Sequence, residues 1–403
     1  MSDIRDELEI KPVTIEHLEQ FNDLLSYVFQ VTAKEVEESG YEEGELERAK
    51  RPVLEKSDVI GWFHGDELVS QLAIYPCVVN IHGQKYQMAG LTGVGTYPEY
   101  AGHGLMHDLI AVGLNHMRAH KQWISYLYPY SIPFYRKKGW EIMSDHLTFE
   151  VKDTQLPRHE NIVGHVERLE IDDPDVIQTY NRFAEVNHGA MIRNQLNWDE
   201  YWRWENEEER IAAVYYDEDD VPQGFILYWI ANEVFHIKEM VYTTQEARVG
   251  LWNFIAAHFS MVDVVRGNIY KNEPLHFLLD DGDIKQTIQP YFMARIVDVR
   301  EFLKAYPFAE VGKPFHFVVS DPMAEWNQGT FGVWWDENDQ VQITDRPVGE
   351  AVTLDIQTLS TMMMSYRRPS YLAKIERLTA SKAALKNLEA IIPMDEPYFS
   401  DYF

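Results

Sequence analysis

Leu91-Thr92-Gly93-Val94-Gly95-Thr96-Tyr97-Pro98-Glu99-Tyr100-Ala101-Gly102-His103-Gly104-Leu105-Met106 reads as strand, glycine turn and helix, and the rest of the chain is placed around it. Pro98 stops an apolar, glycine-spaced strand, and Gly102 and Gly104 open a helix with Leu105, Met106, Leu109, Ile110, Val112 and Leu114 on its apolar side. Glycines at a helix start let the backbone approach a ligand and leave the first N–H groups pointing outward, which suits an anion such as a pyrophosphate. A Gly-x-Gly pair also serves as a tight connection with no ligand. The absence of G-x-G-x-x-G and of G-K-[ST] leaves dinucleotide and nucleoside-triphosphate sites without support.

The chain has 403 residues, enough for two or three domains, with 45% hydrophobic and 25% charged residues, as in an ordinary globular protein. No apolar run reaches the ~18 residues of a membrane span. The start, 1–6, carries Asp3 and Asp6 and no apolar core in place of a basic leader, and Cys77 is the single cysteine; together these predict a cytoplasmic protein without disulfides. Lys and Arg number 36 against 65 Asp and Glu, a net charge of −29. Such a field disfavours nucleic acid and favours cationic small molecules, although an acidic solvated surface has the same composition.

In chain order, helical periodicity over 14–29 is followed by an acidic stretch, 35–51, that reads as a surface segment. Strands are predicted over 59–63, 67–79 and 84–96, joined at Gly65-Asp66 and His82-Gly83 as a meander. After the glycine turn and its helix come a strand at 123–128, a short helix at 132–137 and one strand, 140–151, that ends the unit. The order then repeats after a linker at 152–165: a helix at 174–184, strands at 211–217, 224–230 and 234–242, a helix near 245–259 and a strand at 262–269. The second turn, Tyr242-Thr243-Thr244-Gln245, lacks the glycines. From about 291 a third α+β unit is expected, with helix 299–305, strands 315–319, 330–335 and 341–344, and helices near 356–364 and 381–391. An aromatic tail ending in Phe403 reads as a docked terminus.

The strand, the Pro98 turn and Gly102-His103-Gly104-Leu105-Met106 resemble the acetyl-CoA motif of GNAT N-acetyltransferases. The three-part chain, Ile132-Pro133-Phe134-Tyr135-Arg136-Lys137-Lys138-Gly139-Trp140 and the terminal Phe403 resemble, more narrowly, the Eis (enhanced intracellular survival) branch. The resemblance spans the chain and implies an α+β fold of two tandem GNAT-like domains, 1–155 and a degenerate 156–290, followed by a sterol-carrier-like domain, 291–403. It implies acetyl-CoA as cosubstrate, with Val94, Gly95 and Thr96 along the pantetheine arm. Gly102, His103, Gly104, Leu105, Met106 and His107 would meet the pyrophosphate, and Tyr130 and Ser131 would make a further coenzyme contact. It also implies Tyr135 as general acid, the carboxylate of Phe403 as base, and a homo-oligomer, a hexamer by analogy. Family members often carry arginines in the pyrophosphate loop; here Glu99 to His103 carry none, so backbone donors must do more.

Acetyl transfer from a thioester to an amine needs the reactants held together, a neutral amine and a proton for the departing thiolate. A phenol of pKa about 10 can protonate a thiolate near 8.5, and a terminal carboxylate, near 3.5, holds a cationic amine better than it deprotonates one. The bland readings are a packed ring for Tyr135, with Tyr126, Tyr128 and Tyr130 as competitors, and an aromatic plug for Phe403. His103/His107 and His116/His120 have a spacing that can bind metal, but no third ligand is evident and no metal is expected. Trp198, Tyr201, Trp202 and Trp204, interleaved with Asp199, Glu200 and Glu205, read as core packing or as a cation–π wall. The expected activity is N-acetylation of a primary amine on a small polycationic, aminoglycoside-like molecule, by direct attack in a ternary complex. The alternatives are a protein or peptide lysine acetyltransferase, and a non-catalytic lipid or small-molecule binder.

Overall fold

A computed structural model of the chain describes residues 4–30, 45–203, 210–271 and 273–403. Most of the acidic stretch, 31–44, and Trp204 and Glu205 lie outside the described residues.

The first unit contains strands Leu8–Pro12 (β1), Asp58–His64 (β2), Glu67–Ile81 (β3), Gln84–Thr96 (β4) and Ile124–Leu127 (β5). Helices Leu18–Val28 (α1), Glu45–Lys56 (α2), Leu105–Ala119 (α3) and Ile132–Arg136 (α4) go with them. His82 and Gly83, with φ of 49° and 90°, make the tight β3–β4 hairpin turn that the strand twist favours. The apolar side of α3 covers one face of the sheet, with Leu105, Leu109, Ile110 and Leu114 buried against Leu72, Ile74 and Leu91. The opposite face packs on α1 through Phe21 and Leu24.

The expected single strand at 140–151 is two strands in different sheets, Glu141–Ile142 (β6) and Asp145–Lys152 (β7). Between them Met143 and Ser144 turn the chain without glycine or proline, the two cues by which a turn is read. The second unit comprises His165–Leu169 (β8), Ile211–Tyr216 (β9), Pro222–Ala231 (β10), Val234–Tyr242 (β11), Val264–Ile269 (β12), Lys285–Pro290 (β13) and Met293–Ile296 (β14). Its helices are Pro174–Val186 (α5), Gln195–Arg203 (α6), Gln245–Ala256 (α7) and Leu275–Leu278 (α8).

The strand order is β1-β2-β3-β4-β5-β14-β6 in the first sheet and β8-β9-β10-β11-β12-β7-β13 in the second. The two match position by position, and each takes its sixth strand from the other's stretch of chain: β14 pairs with β5 and β6, β7 with β12 and β13. Hence a cut at 155/156 or 290/291 separates neither sheet. The exchange fuses the units through backbone hydrogen bonds, whose buried donors and acceptors admit no cheap replacement.

The third unit has helices Val299–Ala305 (α9), Ile356–Met363 (α10), Pro369–Lys374 (α11) and Lys382–Ile391 (α12). Its strands Phe315–Ser320 (β15), Gly329–Trp335 (β16), Val341–Thr344 (β17), Glu350–Asp355 (β18) and Leu378–Ala380 (β19) form a five-stranded sheet. Its core, with Phe317, Leu359 and Leu388, is continuous with the α1 face of the first sheet. Among the described residues no helix is long and apolar enough to cross a membrane.

Candidate active site

Strands β4 and β5 run parallel and pair from Met88–Ile124 to Gly90–Tyr126. Beyond that register they part, so among the described residues 91–96 of β4 have a strand partner only on the β3 side. A bulge sits at the parting: Gly93 and Val94 together stand opposite Leu72, and Gly93 takes the left-handed φ of 60° that glycine allows. Ser70 Oγ donates to the Gly95 carbonyl at 3.1 Å and lies 2.7 Å from Thr96 Oγ1, which fixes this edge from behind. The result is a notch in the sheet bordered by unpaired backbone, a place where an extended amide-bearing molecule can take the role of a strand.

The glycine turn lies past the notch. Gly102 and Gly104 have φ of 84° and 78°, and Gly104 is the N-cap of α3, with no side chain to accept from the helix. The N–H of His107 closes on the Gly104 carbonyl at 2.9 Å, whereas no backbone acceptor among the described residues takes those of Gly102 to Met106. Gly102, His103 and His107 are exposed, Met106 is half-buried, and Leu105 is buried, its carbonyl accepting from Trp62 Nε1 at 3.0 Å. Two cations absent from the loop itself reach this turn from elsewhere. Arg5 pairs with Asp108 in the first turn of α3, and Lys138 Nζ donates to His107 Nδ1 at 2.6 Å. Sequence reading missed both; Lys138 lies three residues beyond Tyr135, but nothing local points Arg5 to this turn.

Tyr135, 6% exposed, packs on the α3 face of the sheet with Leu91, Leu127 and Trp140. Burial pushes its phenol up to about 12, so it is protonated at neutral pH. Its short helix is held from outside the first unit. Arg136 grips Glu141 through hydrogen bonds of 3.2, 2.9 and 2.7 Å, Arg377 of the third unit meets the same carboxylate at 2.6 Å, and Gln357 Nε2 donates to the Arg136 carbonyl at 2.7 Å. Burial opposes the charge on Glu141, but these arginines outweigh it and hold the carboxyl below its usual range. Buried Arg295 of β14 donates to the Lys138 carbonyl and pairs with Asp321, both at 2.6 Å.

Phe403 lies on the opposite face of the sheet from Tyr135. Its ring rests on Gly90, where a Cβ would stand 2.9 Å from it, and packs on Phe292 at 5.2 Å and Tyr75 at 6.1 Å between centroids. Thus the last residue sits where β4 and β5 begin to part. Phe403 borders the notch on one face of the sheet and Tyr135 lies in the buried cluster on the other face, and no hydrogen bond among the described residues joins them. Ser131 is half-buried as the N-cap of α4, whereas Tyr130 is 88% exposed and makes no ring contact with the others. Tyr128 borders the tail, its ring 5.0 Å from that of Tyr402. The histidine pairs are engaged with neighbours: His107 with Lys138, and His120 with Asp58 at 3.0 Å. Trp198 and Tyr201 are buried and pack on Arg193 of this same chain, whose guanidinium carbon is 4.5 and 3.8 Å from their centroids.

A notch between parting parallel strands, a bulge beside it and a glycine-opened helix at its end define a GNAT acetyltransferase. Comparison with known proteins agrees. The acetyltransferase (GNAT) domain matches residues 9–143 and again 189–296, and a sterol carrier protein domain matches 299–400. A protein of Enterococcus faecalis, described as a probable N-acyltransferase, is 27% identical over 98% of this chain and 99% of its own, with a TM-score of 0.88. A GCN5-related N-acetyltransferase of Anabaena variabilis is 25% identical over 98% and 100%, with a TM-score of 0.85. Eis1 from Mycobacterium abscessus shares the fold over 98% and 100% of the two chains at 18% identity and a TM-score of 0.80. No curated protein matches. The chain is a GNAT acetyltransferase with two tandem GNAT units followed by a sterol-carrier domain, and it shares that fold with Eis1.

Proposed function

We propose that this acetyltransferase moves acetyl from acetyl-CoA to a primary amine of a small polycationic, aminoglycoside-like molecule, by direct attack in a ternary complex. What supports the reading is Phe403 on Gly90, where β4 and β5 begin to part, with Tyr135 in the cluster on the other face of the same sheet. Val94, Gly95 and Thr96 offer strand-like backbone to the pantetheine amides, and the N–H groups of Gly102 to Met106 offer donors to the pyrophosphate, with His103 and His107 beside them and Tyr130 and Ser131 across the opening. The amine nitrogen attacks the thioester carbonyl carbon, the C–S bond breaks, and the thiolate takes its proton from Tyr135 Oη. The proton lost by the amine passes to solvent by way of the Phe403 carboxylate, which first holds the ammonium. At its resting value near 12, Tyr135 gives a proton to a thiolate of pKa about 8.5 uphill by roughly 5 kcal/mol, so a developing charge beside it is part of the mechanism. The net charge of −29 favours a cationic acceptor by long-range attraction. The same reading takes the enzyme as a cytoplasmic homohexamer.

Thiol release from acetyl-CoA is measured against polyamines, aminoglycosides and lysine peptides, with Tyr135→Phe beside the unmodified chain. Release with a small polyamine, and its loss in the variant, supports the reading. Release with peptides alone moves the substrate to protein lysines. Absence of acetyl-CoA binding, with lipid carried through purification, moves the function to binding.

A further inference from the structure

The second GNAT unit has its own parting of parallel strands, and the chain's tail fills it. Strands β11 and β12 pair from Val234–Val264 to Ile237–Gly267 and then separate. A bulge sits at the parting here too, at Lys238, which is the extra residue between Ile237 and Glu239 opposite β10. The tail runs through the gap. The Tyr398 hydroxyl donates to Glu239, next along β11, and the Phe399 N–H reaches the carbonyl of Tyr270, just past β12, at 3.4 Å.

Beyond these contacts lies a fully buried ionic knot. Arg193, 0% exposed along its side chain, donates from Nε to Asp401 at 2.7 Å and from Nη2 to Ser400 at 3.2 Å, and lies 3.5 Å from Glu239. Its guanidinium is sandwiched by the rings of Tyr180 and Tyr201, at 3.6 and 3.8 Å. The tail is held from two more sides, by Tyr180 Oη on Asp401 at 3.3 Å and Tyr291 Oη on the Asp401 carbonyl at 2.9 Å. Burial pushes the Asp401 carboxyl up against the pull of Arg193, while Arg193 and its hydrogen-bonding neighbours hold Glu239 ionised against burial. Nothing here faces a reacting atom, yet Asp401 is two residues from the terminal carboxylate. A buried ion group stabilises little compared with apolar packing, but it fixes geometry, and removing one partner leaves an uncompensated charge.

We propose that the second GNAT unit serves as a clamp for the chain's own C-terminus, with Arg193 as the positioning residue that sets the Phe403 carboxylate at the notch of the first unit. The catalytic half of this inference rests on the role given to Phe403 above; the clamp itself does not. Two readouts keep them apart. The first is the rate at which carboxypeptidase releases Phe403 from the folded enzyme. The unmodified chain is expected to resist; Arg193→Met and, as a milder variant on the tail itself, Tyr398→Phe are expected to lose Phe403 at least tenfold faster, with Arg193→Lys between them and the unmodified chain. Equal release rates in folded variants would overturn the clamp. The second is kinetic: Arg193→Met lowers kcat about 100-fold with the acetyl-CoA dissociation constant within twofold, and deleting Phe403 from that variant takes the loss only to the level of the Phe403 deletion alone. Fast trimming with an unchanged kcat would leave the clamp and refute the role of the carboxylate; full additivity of the two losses would refute positioning through Arg193.

Discussion

The two GNAT units have one topology and opposite fates, and the difference is concentrated in two places. At the helix that follows the fourth strand, the first unit has Gly104 as N-cap, with no side chain to satisfy the outward N–H groups. The second has Thr244, whose hydroxyl accepts from the Ala247 N–H at 3.1 Å, while Glu246 in the first turn adds a carboxylate that accepts from Val163 N at 2.7 Å. Both helix starts carry an acid, but Asp108 of the first is paired with Arg5, and the cap on the second takes up a donor that the first leaves open to an anion. At the parting of the strands, the first unit has an open notch with Gly90 and Gly93, and the second has Lys238, Glu239 and the tail. One copy keeps a site for a ligand; its twin holds a piece of the same chain.

The largest expected effect breaks the comparison at the tail. Deleting Phe403, or extending the chain beyond it, lowers kcat by about 1,000-fold or more while acetyl-CoA binding stays within threefold, as steady-state kinetics and calorimetry would report. If turnover survives, the tail is a plug and nothing more. Next, Tyr135→Phe keeps the packing and removes the proton, with kcat expected to fall about 100-fold. Its residual rate should no longer fall at high pH with the deprotonation of a group near 12. A milder probe is Gly90→Ala, whose methyl must displace the Phe403 ring 2.9 Å away; kcat falls about tenfold with little change in the coenzyme KM. Gly104→Ala places an L side chain at φ of 78°, which costs about 1 kcal/mol, and raises the acetyl-CoA KM about fivefold. Thr244→Gly in the second unit should create no new binding, because the tail still fills the parting.

Acid stability sharpens the same contrast, since one contact between the units is histidine on histidine. His82, in the β3–β4 turn, stacks on His188 at 3.5 Å; His188 Nε2 lies 2.9 Å from the Met364 carbonyl, and His82 Nε2 is 3.2 Å from Ser365 Oγ. Burial brings His82 down to about 4 and His188 well below its ordinary range. The unfolded chain binds the His82 proton below about pH 6.5 and the folded chain does not until about pH 4. Stability is therefore full above 6.5 and declines as pH falls between those limits, by up to about 3 kcal/mol for His82 alone. Thermal unfolding across pH 4–7 measures this, and His82→Asn, whose side chain tolerates φ of 49°, should flatten the slope by about one proton.

The glycine turn was legible because its signal is local. Gly102 and Gly104 mark both the conformation and the missing cap, and the repeat in element order announced the second unit despite its lost glycines. The strand exchange was not legible: 140–142 and 147–152 each alternate, no glycine or proline marks a turn between them, and only tertiary pairing decides that β6 and β7 part company. The clamp was hidden for a different reason. Arg193 and Asp401 are 208 residues apart, and neither sits in a motif. Of the aromatic stretch at 198–204, sequence could say that it packs or binds a cation. Trp198 and Tyr201 do both, around an arginine of their own chain.

Equilibrium titration of the purified chain with acetyl-CoA, by calorimetry, tests the division between the units most directly. One site per chain is expected, weakened at least tenfold by the double variant Gly102→Val/Gly104→Val and untouched by Thr244→Gly. Two sites per chain, or one that ignores the glycine variant, would contradict the assignment of the coenzyme to the first unit and of the tail to the second.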